Sequence, residues 1–207
     1  MFVVVVLAAL VGADLVARRV AEDQLRQQVV AKVQPDGPVS ASISSFPFVG
    51  RLLLSGTIPE VKVSLADVTV RGFTFASVGV VLESVRIDRD ALVQDRRVAL
   101  LGIGRGTAVV EISADEISRL VKVPVVLETG RARVRLNGRL VDVAARVEGS
   151  RLVVAAAGVT LGAVDIPPLP LVSCLSGTEI RPGRLRLTCS IDEVPVELAG
   201  RSLQTRL

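Results

Sequence analysis

The sequence predicts an α+β protein, with one long N-terminal helix followed by long antiparallel strands and few further helices. Three observations carry this. Val occurs 39 times against five Phe, and β-branched residues suit a pleated, half-buried surface. Residues 14–33 contain no Gly or Pro and set Ala17, Ala21, Leu25, Val29 and Val33 in an i, i+4 row, the pattern of a helix with one apolar stripe. Beyond Pro35, Val-rich runs alternate with turn residues. Half of the 207 residues are apolar, enough for one domain with a substantial core. No linker, charge block or low-complexity tract divides it.

Taken in order, residues 2–13, FVVVVLAALVGA, form an uncharged apolar run with small residues at its end. It reads as a signal-peptide core cleaved near Ala13, so that residues 14–207 form the mature domain. An uncleaved anchor running on to Ala17, or a buried helix, are the alternatives; the run is short for a span, which needs roughly 20 residues. The helix of residues 14–33 is stopped by Pro35 and Pro38. Strands are expected at 39–46, 57–66, 68–75, 78–88, 97–112, 125–136, 139–148, 151–165, 174–180 and 184–191. Asn137-Gly138 marks a tight hairpin, and Arg181-Pro182-Gly183-Arg184 has the Pro-Gly centre of a type II turn. Ser113 and Glu116 have the spacing of a capping box, which starts a short helix running to about Lys122.

The chain has no His, Tyr or Trp. Imidazole-based triads and imidazole metal sites are therefore excluded. Asp115 with Glu116, Asp192 with Glu193, and Asp88 with Asp90 read as helix-end or solvated charge rather than paired acids. Gly102 to Gly106, GIGRG, is a bulge or bend and lacks the spacing of a dinucleotide loop. No catalytic residue, metal ligand or cofactor is expected. The formal charge is +4, with 22 Arg and 3 Lys without interleaved aromatics, which argues against nucleic acid and fits weak attraction to an anionic membrane surface.

Arg131, Arg133 and Arg135 share one strand face opposite Ala132, Val134 and Leu136. Arg184 and Arg186 repeat the pattern against Leu185 and Leu187. These five arginines either meet lipid headgroups or form a solvated face. Phe46 and Phe48 should project from one side of an extended segment, as should Phe73 and Phe75. Those four either plug one end of the core or line the mouth of a lipid-sized cavity. Cys174 and Cys189 flank the Pro182-Gly183 turn. In an exported protein a bridge between them is expected, with two buried thiols as the alternative.

Several strands are apolar on both faces, notably residues 151–166, RLVVAAAGVTLGAVDI. Their outer faces need a cover, or their inner face lines something greasy.

Residues 45–87 resemble the LmeA-like phospholipid-binding proteins of actinobacterial cell envelopes. The resemblance is carried by Phe46-Pro47-Phe48, Leu53 to Gly56, Val61 and Val63, Ala66-Asp67-Val68, and Gly72 with its Val-rich strand, and again by IPPLPL at 166–171. It implies a fold similar to the tubular lipid-binding (TULIP) domains, an elongated half-barrel in which a strongly twisted antiparallel sheet wraps a long helix around an apolar cavity. It further implies an exported, non-enzymatic protein of the periplasm or envelope that holds a phospholipid and supports lipoglycan (lipomannan) synthesis, with envelope glycolipid-synthesis proteins as partners. On this reading Phe46, Phe48, Leu52, Leu54, Phe73, Phe75, Val78, Val80 and Leu82 line the cavity. The competing expectation is an envelope scaffold or interaction module with a filled core.

Overall fold

Long Val-rich strands with Gly at their turns build two antiparallel sheets that share a core. The computed structural model describes residues 2–95, 97–136, 138–148, 151–156, 159–167, 177–194 and 205–206. Helix α1 (Phe2–Val33) is followed by β1 (Val39–Ser44), α2 (Phe48–Ser55), β2 (Thr57–Val70), β3 (Phe73–Ile87), α3 (Arg89–Gln94), β4 (Arg97–Val98) and β5 (Leu100–Ser113). Then come α4 (Ala114–Val121), β6 (Val125–Glu128), β7 (Arg131–Leu136), β8 (Arg139–Glu148), β9 (Arg151–Ala156), β10 (Val159–Asp165), β11 (Gly177–Arg181), β12 (Arg184–Val194) and β13 (Thr205–Arg206).

One sheet has the order β1-β2-β3-β5-β12-β11 and the other β10-β9-β8-β7-β6, with β13 and β4 forming a separate pair. The larger sheet does not close into a barrel. With α1 beside it, the molecule is the α+β half-barrel that the sequence predicts. The sheets meet where the β11–β12 turn joins the β6–β7 hairpin: Gly183 N–H donates to the Leu127 carbonyl, and Gly130 N–H to that of Ile180.

The main core fills the space between the sheets. Leu65, Phe75, Val110 and Ile112 from one side meet Val134, Leu152 and Val154 from the other. Leu185, Leu187 and Cys189 complete it from β12. A second cluster, Ile43, Phe48, Ile58, Val61, Val85 and Ile87, lies at the other end of the larger sheet and is roofed by Ala17, Ala21 and Leu25 of α1. The i, i+4 row thus does what its spacing requires: its first members cover this cluster, and Val29 and Val33 reach the main core.

Both predicted turns hold. Gly138 (φ +79°) and Gly183 (φ +73°) supply the left-handed backbone that their two-residue hairpins need. Ser113 caps α4 by accepting from the Glu116 N–H at 3.1 Å.

Other expectations change. The helix expected from residue 14 begins at Phe2, the apolar run 2–13 continuing into it without a break. No helix among the described residues is long and apolar enough to cross a membrane. The segment read as extended through Phe46 instead ends as a strand at Ser44 and turns into α2, which Gly56 (φ +64°) terminates. Residues 68–75 are divided by the turn at Arg71-Gly72, and 125–136 by Gly130. Residues 88–95 hold α3, whose N-cap Asp88 accepts from the N–H groups of Asp90 and Ala91. Asn137 and the stretch 168–176, with Cys174, lie outside the described residues.

Candidate functional site: an apolar cavity at one end of the sandwich

At the end of β2 and β3 far from α2 and α3, the β2–β3 turn, α4 and the end of β10 surround a half-open cavity of about 450 Å³. Phe73, Leu120, Val164, Ile166 and Pro167 give it apolar walls, and Arg71 and Asp165 stand among them. Three distant segments meet here. The β2–β3 turn brings Arg71 and Phe73 because Gly72 adopts φ +79°. Helix α4 presents Leu120 on the face that carries buried Ile117. After β10 the chain delivers Ile166, which is buried.

A polar latch fastens this end. Buried Glu116, in the first turn of α4, accepts from the Thr74 N–H at 2.8 Å. Arg119 donates to the same carboxylate through Nε at 2.8 Å and Nη2 at 2.5 Å, and Nη2 also reaches the Gly72 carbonyl at 2.7 Å. The Arg119 bonds, aided by the Thr74 N–H, hold the Glu116 carboxyl below the ordinary glutamate value of 4.5 against the opposing effect of burial. Glu116 therefore does not turn back on Ser113 as a full capping box would. It ties α4 to the β2–β3 turn, and so fixes one wall of the cavity against another.

The predicted lining residues fall into different places. Phe73 lies on the cavity and stacks on Phe75 with ring centroids 4.6 Å apart. Phe75, Val78 and Val80 are buried in the main core behind it. Phe48 is in the second cluster, and Leu52 packs against it. Leu82 touches both clusters. Phe46 and Leu54 are exposed. The four phenylalanines thus form two pairs at opposite ends of the larger sheet.

The arginines lie on the outward faces of two different sheets, Arg131, Arg133 and Arg135 on β7 opposite buried Ala132 and Val134, and Arg184 and Arg186 on β12 opposite buried Leu185 and Leu187. Arg133 is ion-paired with Glu128. Arg184 donates to Glu111 at 2.7 Å, and this bond, with help from Ser77 and nearby Arg186, holds the Glu111 carboxyl below its ordinary value. Arg131 and Arg135 are exposed. None of the five lines the cavity; Arg131 on β7 and Arg184 on β12 adjoin the two turns that meet at the seam of the sheets.

Residues 12–190 match the sequence profile of the family described as LmeA-like phospholipid-binding. The chain belongs to the LmeA-like phospholipid-binding family. No curated protein and no solved structure gives a significant match.

Within this LmeA-like chain, the residues that bound the cavity were only partly visible in the sequence. Ile166-Pro167 opens the IPPLPL stretch that carried the resemblance, and Gly72-Phe73 belongs to its other half. Arg71, Leu120 and Val164 had no such mark. They join the site only through the packing of α4 and β10 against the β2–β3 turn.

Proposed function

We propose that this LmeA-like protein is a non-enzymatic carrier that holds one acyl chain of a phospholipid in the cavity beside Phe73, with the headgroup near Arg71. The observation that carries the reading is an apolar opening of ligand-binding size with a single arginine among its walls, in a chain of a phospholipid-binding family. A guanidinium can take a phosphate oxygen pair bidentately, and an aliphatic chain gains about 0.8 kcal/mol per buried methylene. A non-catalytic role is supported by a sequence without histidine. Among the described residues no group of three His, Cys, Asp or Glu could hold a metal.

The setting we infer is the actinobacterial periplasm or cell envelope, with the run 2–13 directing export and the carrier serving lipomannan synthesis alongside envelope glycolipid-synthesis proteins. In that oxidising setting Cys189, buried on β12 in the main core, pairs with Cys174. The exposed arginines of β7 and β12 add a weak attraction to anionic lipid, which salt screens.

Filling the cavity tests the reading. Val164 is half-buried on the cavity wall, so Val164→Trp fills the space without adding charge. The variant should fold with an unchanged unfolding midpoint and take up at least about tenfold less phospholipid. Uptake equal to wild type would place the lipid elsewhere. No uptake by either protein would favour the reading as an envelope scaffold or interaction module.

A further inference from the structure

The opposite end of the molecule carries a feature that the cavity does not use. Helix α2 buries Phe48 and half-buries Leu52, yet Leu54 is 81% exposed, Phe46 59% and Leu53 48%. Two large apolar side chains at the end of an eight-residue helix, with a phenylalanine just before its start, are costly to leave in water. The side chain of Asp14 joins α1 to the N-terminus of α2. On the turns of α1 adjoining Asp14, Leu10, Val11, Leu15 and Val16 are exposed as well.

The charges on these segments have one sign at the surface. Across residues 2–21 and 44–59 the only ionisable side chains are Asp14, Arg18, Arg19 and Arg51. Asp14 is buried, and Arg18 pairs with Glu22 at 3.4 Å. Arg19 and Arg51 remain at the surface. From α3, Arg89 reaches across and donates to the Leu54 carbonyl at 3.0 Å, which sets another guanidinium beside the exposed leucine. Residues 2–21 and 44–59 expose no carboxylate, while α3 and its C-cap expose Asp90 and Asp95 near Arg89; the outward apolar side chains among Arg19, Arg51 and Arg89 complement an anionic phospholipid interface. The uncharged apolar run 2–13 leads into α1 at this same end.

We propose that α2, with Phe46, Leu53 and Leu54 as its inserting side chains and Arg51 and Arg89 at headgroup level, is an interfacial helix that docks this end of the molecule on an anionic phospholipid bilayer. Eight residues make a helix of about 12 Å, which lies in the interface and does not span. The 14 residues of β2 separate α2 from the β2–β3 turn by about 45 Å. Docking at α2 therefore leaves the cavity beside Phe73 on the far side of the molecule. The two sites are separate, and this one stands independently of what the cavity holds.

The chain contains no Trp or Tyr, so Leu54→Trp introduces a lone fluorophore at a position too exposed to disturb folding. The full-length variant is mixed with phosphatidylcholine vesicles containing phosphatidylglycerol, with and without brominated acyl chains. Blue-shifted emission quenched by the bromolipid is the expected result, whereas Val159→Trp on β10 keeps an aqueous spectrum. Leu53→Glu with Leu54→Glu should lower vesicle partitioning by about tenfold or more while leaving phospholipid uptake unchanged. The proposal is overturned if Leu54→Trp stays water-exposed on protein that sediments with vesicles, or if Val159→Trp shifts equally. A blue shift without vesicles that grows with protein concentration would also overturn it, because a second copy would then be the occupant.

Discussion

The carboxylate of Asp14 accepts hydrogen bonds from the backbone N–H groups of Phe48 at 2.8 Å and Val49 at 2.7 Å, across 34 and 35 residues of chain. Helix α2 needs this because its N-cap is Pro47, whose side chain has no acceptor to offer. Asp14 supplies the missing cap from α1, and the charged acceptor also suits the positive end of the helix dipole. Removing it leaves two N–H groups without their acceptor at a largely buried helix start. Asp14→Ala should therefore lower unfolding stability by about 1–3 kcal/mol, as read by urea titration. A change within about 0.3 kcal/mol would mean that water replaces the carboxylate without cost.

Glu116 makes part of the stability pH-dependent. Its carboxyl titrates below the ordinary value because Arg119 and the Thr74 N–H stabilise the charged form in the folded state. A depressed carboxyl contributes stability that is fully present above the unfolded-state value and is lost as pH falls through the folded-state value. The latch should thus be intact at neutral pH and weaken below about pH 4.5. Glu116→Gln should be less stable at pH 7 by roughly 1–2 kcal/mol, and its difference from wild type should shrink as the pH is lowered past that window. A difference that stays constant with pH would assign the loss to packing alone.

The two phenylalanine pairs predict unequal costs. Phe75 is fully buried, so Phe75→Ala should cost about 3–5 kcal/mol. Phe46 is more than half exposed, and Phe46→Ala should stay within about 0.5 kcal/mol of wild type. Equal costs, measured by denaturant midpoints at constant slope, would contradict the separation of the four rings into two sites.

Much of this arrangement was legible where a single local rule decides it. Gly138 and Gly183 had to turn because their positions require positive φ. Ala132 and Val134 had to be buried opposite Arg131 and Arg133 because side chains alternate along a strand. Helix α2 was missed for a physical reason. Its residues, FVGRLLLS, suit a strand as well as a helix, and the cap that selects the helix comes from Asp14, far away in sequence. The cavity was hidden in the same way, since Arg71, Leu120 and Val164 meet only through long-range packing. Family resemblance pointed to lipid, but its most visible residues, Phe46 to Gly56, lie at the other end of the molecule from the opening.

A phospholipid held in the cavity beside Phe73 should travel with the protein through purification. Native mass spectrometry of the full chain, purified without detergent, measures this most directly. The expected spectrum contains a species heavier than the protein by the mass of one phospholipid, lost on delipidation, restored by incubation with phosphatidylglycerol, and much reduced in Val164→Trp. A chain that carries no phospholipid after purification and takes up none afterwards would contradict it.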